Sequence, residues 1–204
     1  MATRNDSIST ENMNSTYWQF VVAICLVAMI VAARILPHEA NFTPVAAVGL
    51  FSGIYLRRKW ALAVPIVGLV ISDLFLTSYP IEGRLIVYGS FFAMGIIGRL
   101  ISRGRLFGRS GKLSRKLPKI LGGTLAGSIV FFIVTNNVFL YTPALYTYDA
   151  SGMMASYVAG LPFFRSQLMG DLFYSGILVV GYELFRVWLD KRELSMMRYA
   201  IDAA

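Results

Sequence analysis

Eleven residues, 34–44, read Arg-Ile-Leu-Pro-His-Glu-Ala-Asn-Phe-Thr-Pro and lie between two long apolar runs. They hold the only histidine of the chain, His38, together with Arg34, Glu39 and Asn41. Farther along, Asp73, Tyr88, Asn136, Asn137, Arg165 and Asp171 stand inside or at the edges of other apolar segments. Polar and ionisable groups at membrane depth are costly, and they line a cavity or pair with one another. The set His38, Asn41, Asp73, Tyr88, Asn136, Asn137, Arg165 and Asp171 is therefore the candidate ligand-binding set, an outward-facing pocket with aromatic walls. Each member also has a plainer reading. Arg84 and Arg165 would bridge to Glu82, Asp73 or Asp171 and staple the outer loops, and Asn136-Asn137 would satisfy a helix end.

Other chemistries find little support. A transition-metal site needs three or four N, S or O ligands, and one histidine without a nearby cysteine is a poor start. No metal and no cofactor is expected. The single cysteine, Cys25, lies inside the first apolar run, so there is no disulfide framework. Gly-x-Ser-x-Gly is absent, and no Ser/His dyad falls at membrane depth. An aspartyl pair of Asp73 and Asp171 would require their helices to adjoin. The expectation is a protein that is not an enzyme.

The elements that position these residues follow from composition. Of 204 residues 56% are hydrophobic and 15% charged, with mean hydropathy +0.61, against about 25% charged in an ordinary soluble domain. That composition predicts an all-α, polytopic integral membrane protein with six transmembrane helices. Its apolar runs cover residues 17–36, 45–56, 60–76, 85–101, 120–140 and 169–189. One membrane domain, residues 17–190, is expected between a polar tail, 1–16, and a C-terminal tail, 191–204. The first run is long enough for a span at about 20 residues. It also exceeds the roughly 7–15 residues of a signal-peptide core, so an uncleaved helix is expected. The second run is short, and must borrow residues 42–44 or sit tilted and shielded by its neighbours. Proline lacks an N–H and disfavours helix before it, so Pro37 should end the first helix and Pro44 open the second. Residues 141–168 read as a link, with a short interfacial helix at 151–161.

Charge sets the expected orientation. Six spans place all but Arg34, Arg84 and Arg165 of the 19 basic residues on one side, and basic loops stay cytoplasmic. Both termini and the 102–119 loop are expected on the cytoplasmic side, with residues 34–44 facing out. The net charge of +8 then answers to anionic lipid head groups and not to nucleic acid. Small residues one helical turn apart, Ala28/Ala32, Gly49/Gly53 and Gly123/Gly127, would let helix backbones approach closely in lipid. Internal packing accounts for most of them, and at least one pair is free to serve a partner.

Three motifs fall in order: Arg-x-Leu-Pro-His-x-x-Asn-Phe-Thr-Pro-Val-Ala-Ala at 34–47, Ser-Asp-Leu-Phe-Leu at 72–76, and Leu-Pro-Phe-Phe-Arg with Gly-Asp-Leu-Phe-Tyr across 161–174. Together they resemble an uncharacterised family of bacterial six-helix membrane proteins. That family in turn looks like the substrate-binding S components of energy-coupling-factor vitamin transporters. The resemblance implies a membrane subunit that binds a vitamin or similar small molecule for uptake. It also implies docking of a coupling subunit and its ATPases through an Ala-x-x-x-Ala face, which Ala28 and Ala32 match. Cobalamin-type S components carry a cysteine near the outer end of the third helix; this chain has none there. The alternative reading is a non-catalytic scaffold of the cell envelope.

Overall fold

The computed structural model describes residues 16–76, 81–104, 113–137 and 145–202, and among these the regular structure is entirely helical. The helices are α1 (Thr16–Ile35), α2 (Val45–Tyr55), α3 (Arg58–Asp73), α4 (Ile81–Ser102), α5 (Leu113–Thr135) and α6 (Ala150–Asp202). Four are long and apolar enough to cross a membrane: α1, α4 over Gly83–Ser102, α5 over Leu117–Thr135 and α6 over Ala150–Leu189. With 11 and 16 residues, α2 and α3 fall short of the about 20 that a perpendicular crossing needs. Most of the polar tail 1–16, residues 105–112 of the basic loop and the Glu82 side chain lie outside the described residues.

Proline sets the first boundary as the sequence predicts. Helix α1 stops at Ile35, two residues before Pro37, and Pro44 caps α2, with its carbonyl accepting from the Val48 N–H at 2.8 Å. Between them Asn41 adopts φ 63°, a left-handed conformation that asparagine tolerates better than most residues.

The short helix is the hub of the bundle. Nine of its 11 residues, Val45 through Gly53, are buried, and it packs against all five other helices. Shielding by neighbours, not extension, is how the short run is accommodated. Its closest crossing is with α4. A β-carbon on Gly53 would run into the Gly95 carbonyl, and one on Gly98 into the Leu50 carbonyl. Met94 and Ile101 of α4 fill the spaces over Gly127 and Gly123 of α5. The glycine pairs thus serve internal packing, whereas Ala28 and Ala32 lie exposed on α1.

Helices α1 and α3 run parallel in constant register. Gln19 accepts from the Arg57 N–H at 2.8 Å, Ile30 packs on Gly68, and Arg34 reaches Asp73. Helix α6 departs from expectation. It begins at Ala150 and continues unbroken through Pro162 to Asp202. At 53 residues it is roughly 80 Å long. Residues 151–161 are its first turns and not a separate interfacial helix. Asp149 starts it, accepting the Gly152 N–H at 2.8 Å and the Ser151 hydroxyl at 2.7 Å. Phe132 of α5 then packs against Tyr157 and Phe164, so two aromatic residues of the expected link line a helix–helix contact.

Candidate functional site

The polar residues singled out from the sequence divide into three groups. In the first, Asp73 at the end of α3 takes Arg34 from the last turn of α1. The guanidinium lies 2.6 Å from Asp73 Oδ1 and 2.6 Å from Ser72 Oγ. Tyr88 of α4 donates to Asp73 Oδ2 at 2.7 Å. Both carboxylate oxygens are engaged, and three helices are tied together. A ligand contact from Asp73 would have to displace Arg34 or Tyr88.

The second group caps α5. Asn136 donates to the Phe132 carbonyl at 3.1 Å and Asn137 to the Ile133 carbonyl at 2.8 Å. The Ser156 hydroxyl reaches the Asn136 carbonyl at 3.1 Å, and Tyr157 reaches the Ile133 carbonyl at 2.7 Å and Asn137 Oδ1 at 3.3 Å. These contacts close the α5 terminus onto α6. His38, Asn41 and Arg165 are exposed. The His38 ring lies 2.7 Å from the Leu36 carbonyl, and Arg165 has no polar or charged partner among the described residues.

Asp171 forms the third group, and it is the most deeply placed. It is 1% exposed. Its Oδ2 accepts from the Ser128 hydroxyl at 2.6 Å and from the Gln167 amide at 3.4 Å. One turn deeper, Thr124 donates to Ser175 at 3.1 Å. No cation pairs with Asp171 among the described residues. The sequence places this aspartate near the outer start of a span. Because α6 begins at Ala150, Asp171 lies about 30 Å along the helix from its start. Ser128 lies about 16 Å into the apolar part of α5, so the pair meets well inside that apolar stretch.

Phe42 closes over the same point. Its backbone and ring pack on Gly170, with ring contacts to Phe173 at 5.9 Å and Tyr174 at 5.6 Å. Helix α2 is only about 16 Å long from its Tyr55 end, half the thickness of a roughly 30 Å hydrocarbon core. Residues 42–44 therefore bring non-helical backbone down to the level of Asp171. Such backbone is tolerated at membrane depth only where protein buries it or where it lines a cavity. Pro44 is buried, and Phe42 and Thr43 are half-buried.

Helix α2 stands between the Arg34–Asp73 group and the Asp171 group, and α3 and α6 are not neighbours. Asp73 and Asp171 form no aspartyl pair. Among the described residues no three His, Cys, Asp or Glu side chains are grouped to hold a metal ion. Sequence reading missed Ser128, Thr124 and Ser175 as partners of the aspartate. The signal was present: polar residues at 124 and 128 on α5 face polar residues at 167, 171 and 175 on α6, all four apart. It also missed Tyr55, which donates to the buried Glu183 at 3.1 Å near the opposite end of the bundle.

A model of a family of unknown function (DUF6580) matches residues 14–193. No curated protein and no solved structure matches the chain. The chain belongs to that family.

Proposed function

We propose that this chain is a membrane-embedded, S-component-like subunit that binds a vitamin or similar small molecule for uptake. Its six helices all traverse the bilayer of the bacterial inner membrane, α2 and α3 with the help of their neighbours, and both termini are cytoplasmic. The carrying observation is the non-helical segment 42–44, with Phe42 packed on Gly170 beside the buried Asp171 carboxylate, which has no cation partner among the described residues. A short or interrupted helix at the midplane is the best pointer to a binding site in transporter folds. Asp171, Ser128 and Gln167 would anchor a donor group of the ligand, and Phe42 with Phe173 and Tyr174 would hold its apolar part. His38, Asn41 and Arg165 lie exposed and, on the outer side, would contact an arriving solute. The exposed Ala28/Ala32 face would dock a coupling subunit and its ATPases.

The test is native mass spectrometry of the gently purified protein for a retained small molecule. A thermal screen of vitamins, bases and metal chelates follows. A ligand should raise the midpoint of the wild type, and Asp171→Asn and Ser128→Ala should remove most of that rise. Equal destabilisation with and without ligand assigns these residues to structure. A screen that shifts nothing favours the second reading, a non-catalytic membrane scaffold. The specific observation behind that reading is the complete pairing of Asp73 by Arg34 and Tyr88.

A further inference from the structure

A cleft of about 920 Å³ opens on the side of the bundle where α3 begins. It is distinct from the Asp171 site and lies at the end of the bundle remote from residues 36–44. Arg57 and Lys59 stand at its mouth, and Leu62, Ala63 and Ile66 of α3 with Phe92 of α4 form its walls. Lys59, Leu62, Ala63 and Ile66 recur at helical spacing, so one face of α3 runs from a cation into apolar surface over roughly 10 Å.

Both cations are exposed, and neither meets a carboxylate among the described residues. The Arg57 guanidinium has only the Thr16 hydroxyl at 3.4 Å, and Lys59 lies over the Trp60 ring at 5.3 Å. The Arg57 backbone N–H is held separately by Gln19 at 2.8 Å. The side chain is thus spare for a ligand while the start of α3 is secured without it.

We propose that this cleft is a binding site for one anionic phospholipid, its phosphate between Arg57 and Lys59 and an acyl chain along Leu62, Ile66 and Phe92. The arrangement matches such a molecule part for part. Two unpaired cations face the head-group region, where anionic lipids concentrate basic side chains, and the apolar wall continues inward from them. A soluble anion would use the cations and leave the wall bare. A neutral lipid would use the wall and leave two cations without a counter-charge.

The experiment is native mass spectrometry of the full chain released from neutral-detergent micelles. Phosphatidylglycerol, phosphatidylcholine or glycerol phosphate is added at equal concentration. The wild type should retain one phosphatidylglycerol in preference to phosphatidylcholine by roughly tenfold, and glycerol phosphate should not displace it. Arg57→Gln with Lys59→Gln should abolish that preference. Ala63→Trp, which fills the wall without changing charge, should lower retention of both lipids. Phe92→Ser provides the same test from α4 if the tryptophan disturbs folding. Lys191→Gln with Arg192→Gln, exposed cations on α6, should leave the preference intact. Equal retention of the two lipids by the wild type, displacement by glycerol phosphate, or equal loss in both charge variants would overturn the proposal.

Discussion

Removing one member of the Arg34–Asp73–Tyr88 group tests whether it acts as a staple between α1, α3 and α4. The two charged side chains are 16% and 10% exposed, with a 2.6 Å contact. Asp73→Leu strands a guanidinium on the Ser72 hydroxyl and the Leu69 carbonyl at 3.4 Å, and breaking a pair of this burial costs about 3–5 kcal/mol. Arg34→Met strands the carboxylate on Tyr88 and should cost a similar amount. Tyr88→Phe removes one donor of 2.7 Å from that carboxylate, a loss of about 1–3 kcal/mol. The double variant Arg34→Met with Asp73→Leu leaves no uncompensated charge. It should be less destabilised than the sum of the singles by about 2 kcal/mol or more, some thirtyfold in the folding equilibrium. Reversible unfolding by SDS titration in mixed micelles measures all four proteins on one scale. If the two single losses simply add, Arg34 and Asp73 do not interact and the staple is refuted. The same arithmetic bears on ligand binding, because Asp73→Asn should lower the ligand-free midpoint through the loss of Arg34.

At the α2–α4 crossing, Gly53→Ala should cost about 1–3 kcal/mol because the added carbon meets the Gly95 backbone. Gly89→Ala, with nothing within 4 Å, should be neutral in the same titration. Ala28→Leu and Ala32→Leu, at exposed positions, should leave unfolding within about 0.5 kcal/mol of wild type while weakening co-purification of a coupling subunit. Loss of folding would return the pair to internal packing. The Gly152 N–H, then the Ser151 and Thr147 hydroxyls, hold the Asp149 carboxyl at about 2, below its ordinary 3.8. A depressed carboxyl supports folding above its unfolded value and loses that support as pH falls through its folded one. An NMR titration should find the Asp149 midpoint at about 2. Protection of the first α6 amides should be full above about pH 4 and lost toward 2. A midpoint near the ordinary value would remove the cap.

The parts of the fold legible in sequence are those set by local chemistry. Pro37 and Pro44 bound the first link, and a run too short to span reads as one that either borrows residues 42–44 or sits shielded, of which the structure takes the second. Partner choice was not legible. The sequence offers Arg84 or Arg165 as the bridge to Asp73, whereas the structure pairs it with Arg34. What selects Arg34 is the parallel register of α1 on α3, set where Ile30 fills the space over Gly68. Length of α6 was hidden for another reason. Residues 141–168 mix aromatic, serine and glycine residues around Pro162, which reads as a link until Phe132 supplies a surface for Tyr157 and Phe164. The depth of Asp171 depends on that length. A helix starting near Met169 would place it in the first turn, and one starting at Ala150 takes it about 30 Å along the helix.

The short α2 is the feature from which the candidate site follows. Each unsatisfied backbone group at membrane depth costs several kcal/mol, so a helix that ended partway through a bilayer, as proposed for α2, would need its approach segment satisfied. Pro37 and Pro44 have no N–H to satisfy. The N–H of Phe42 donates to the Glu39 carbonyl at 3.0 Å and that of Thr43 to the Asn41 carbonyl at 3.0 Å, with Asn41 turned left-handed between them. The segment thus satisfies its deepest donors internally, while Phe42 seals it against Gly170. What this leaves beside the segment is the Asp171 carboxylate, held by a hydroxyl and an amide but by no cation among the described residues. A bundle built only to hold its helices together could end the same contacts in apolar side chains, as α2 does against α4. Retaining a carboxylate there adds no packing and keeps a hydrogen-bond acceptor beside the one place where the helical wall is interrupted. That juxtaposition makes Asp171, rather than the fully paired Asp73, the residue on which the proposed binding function would depend.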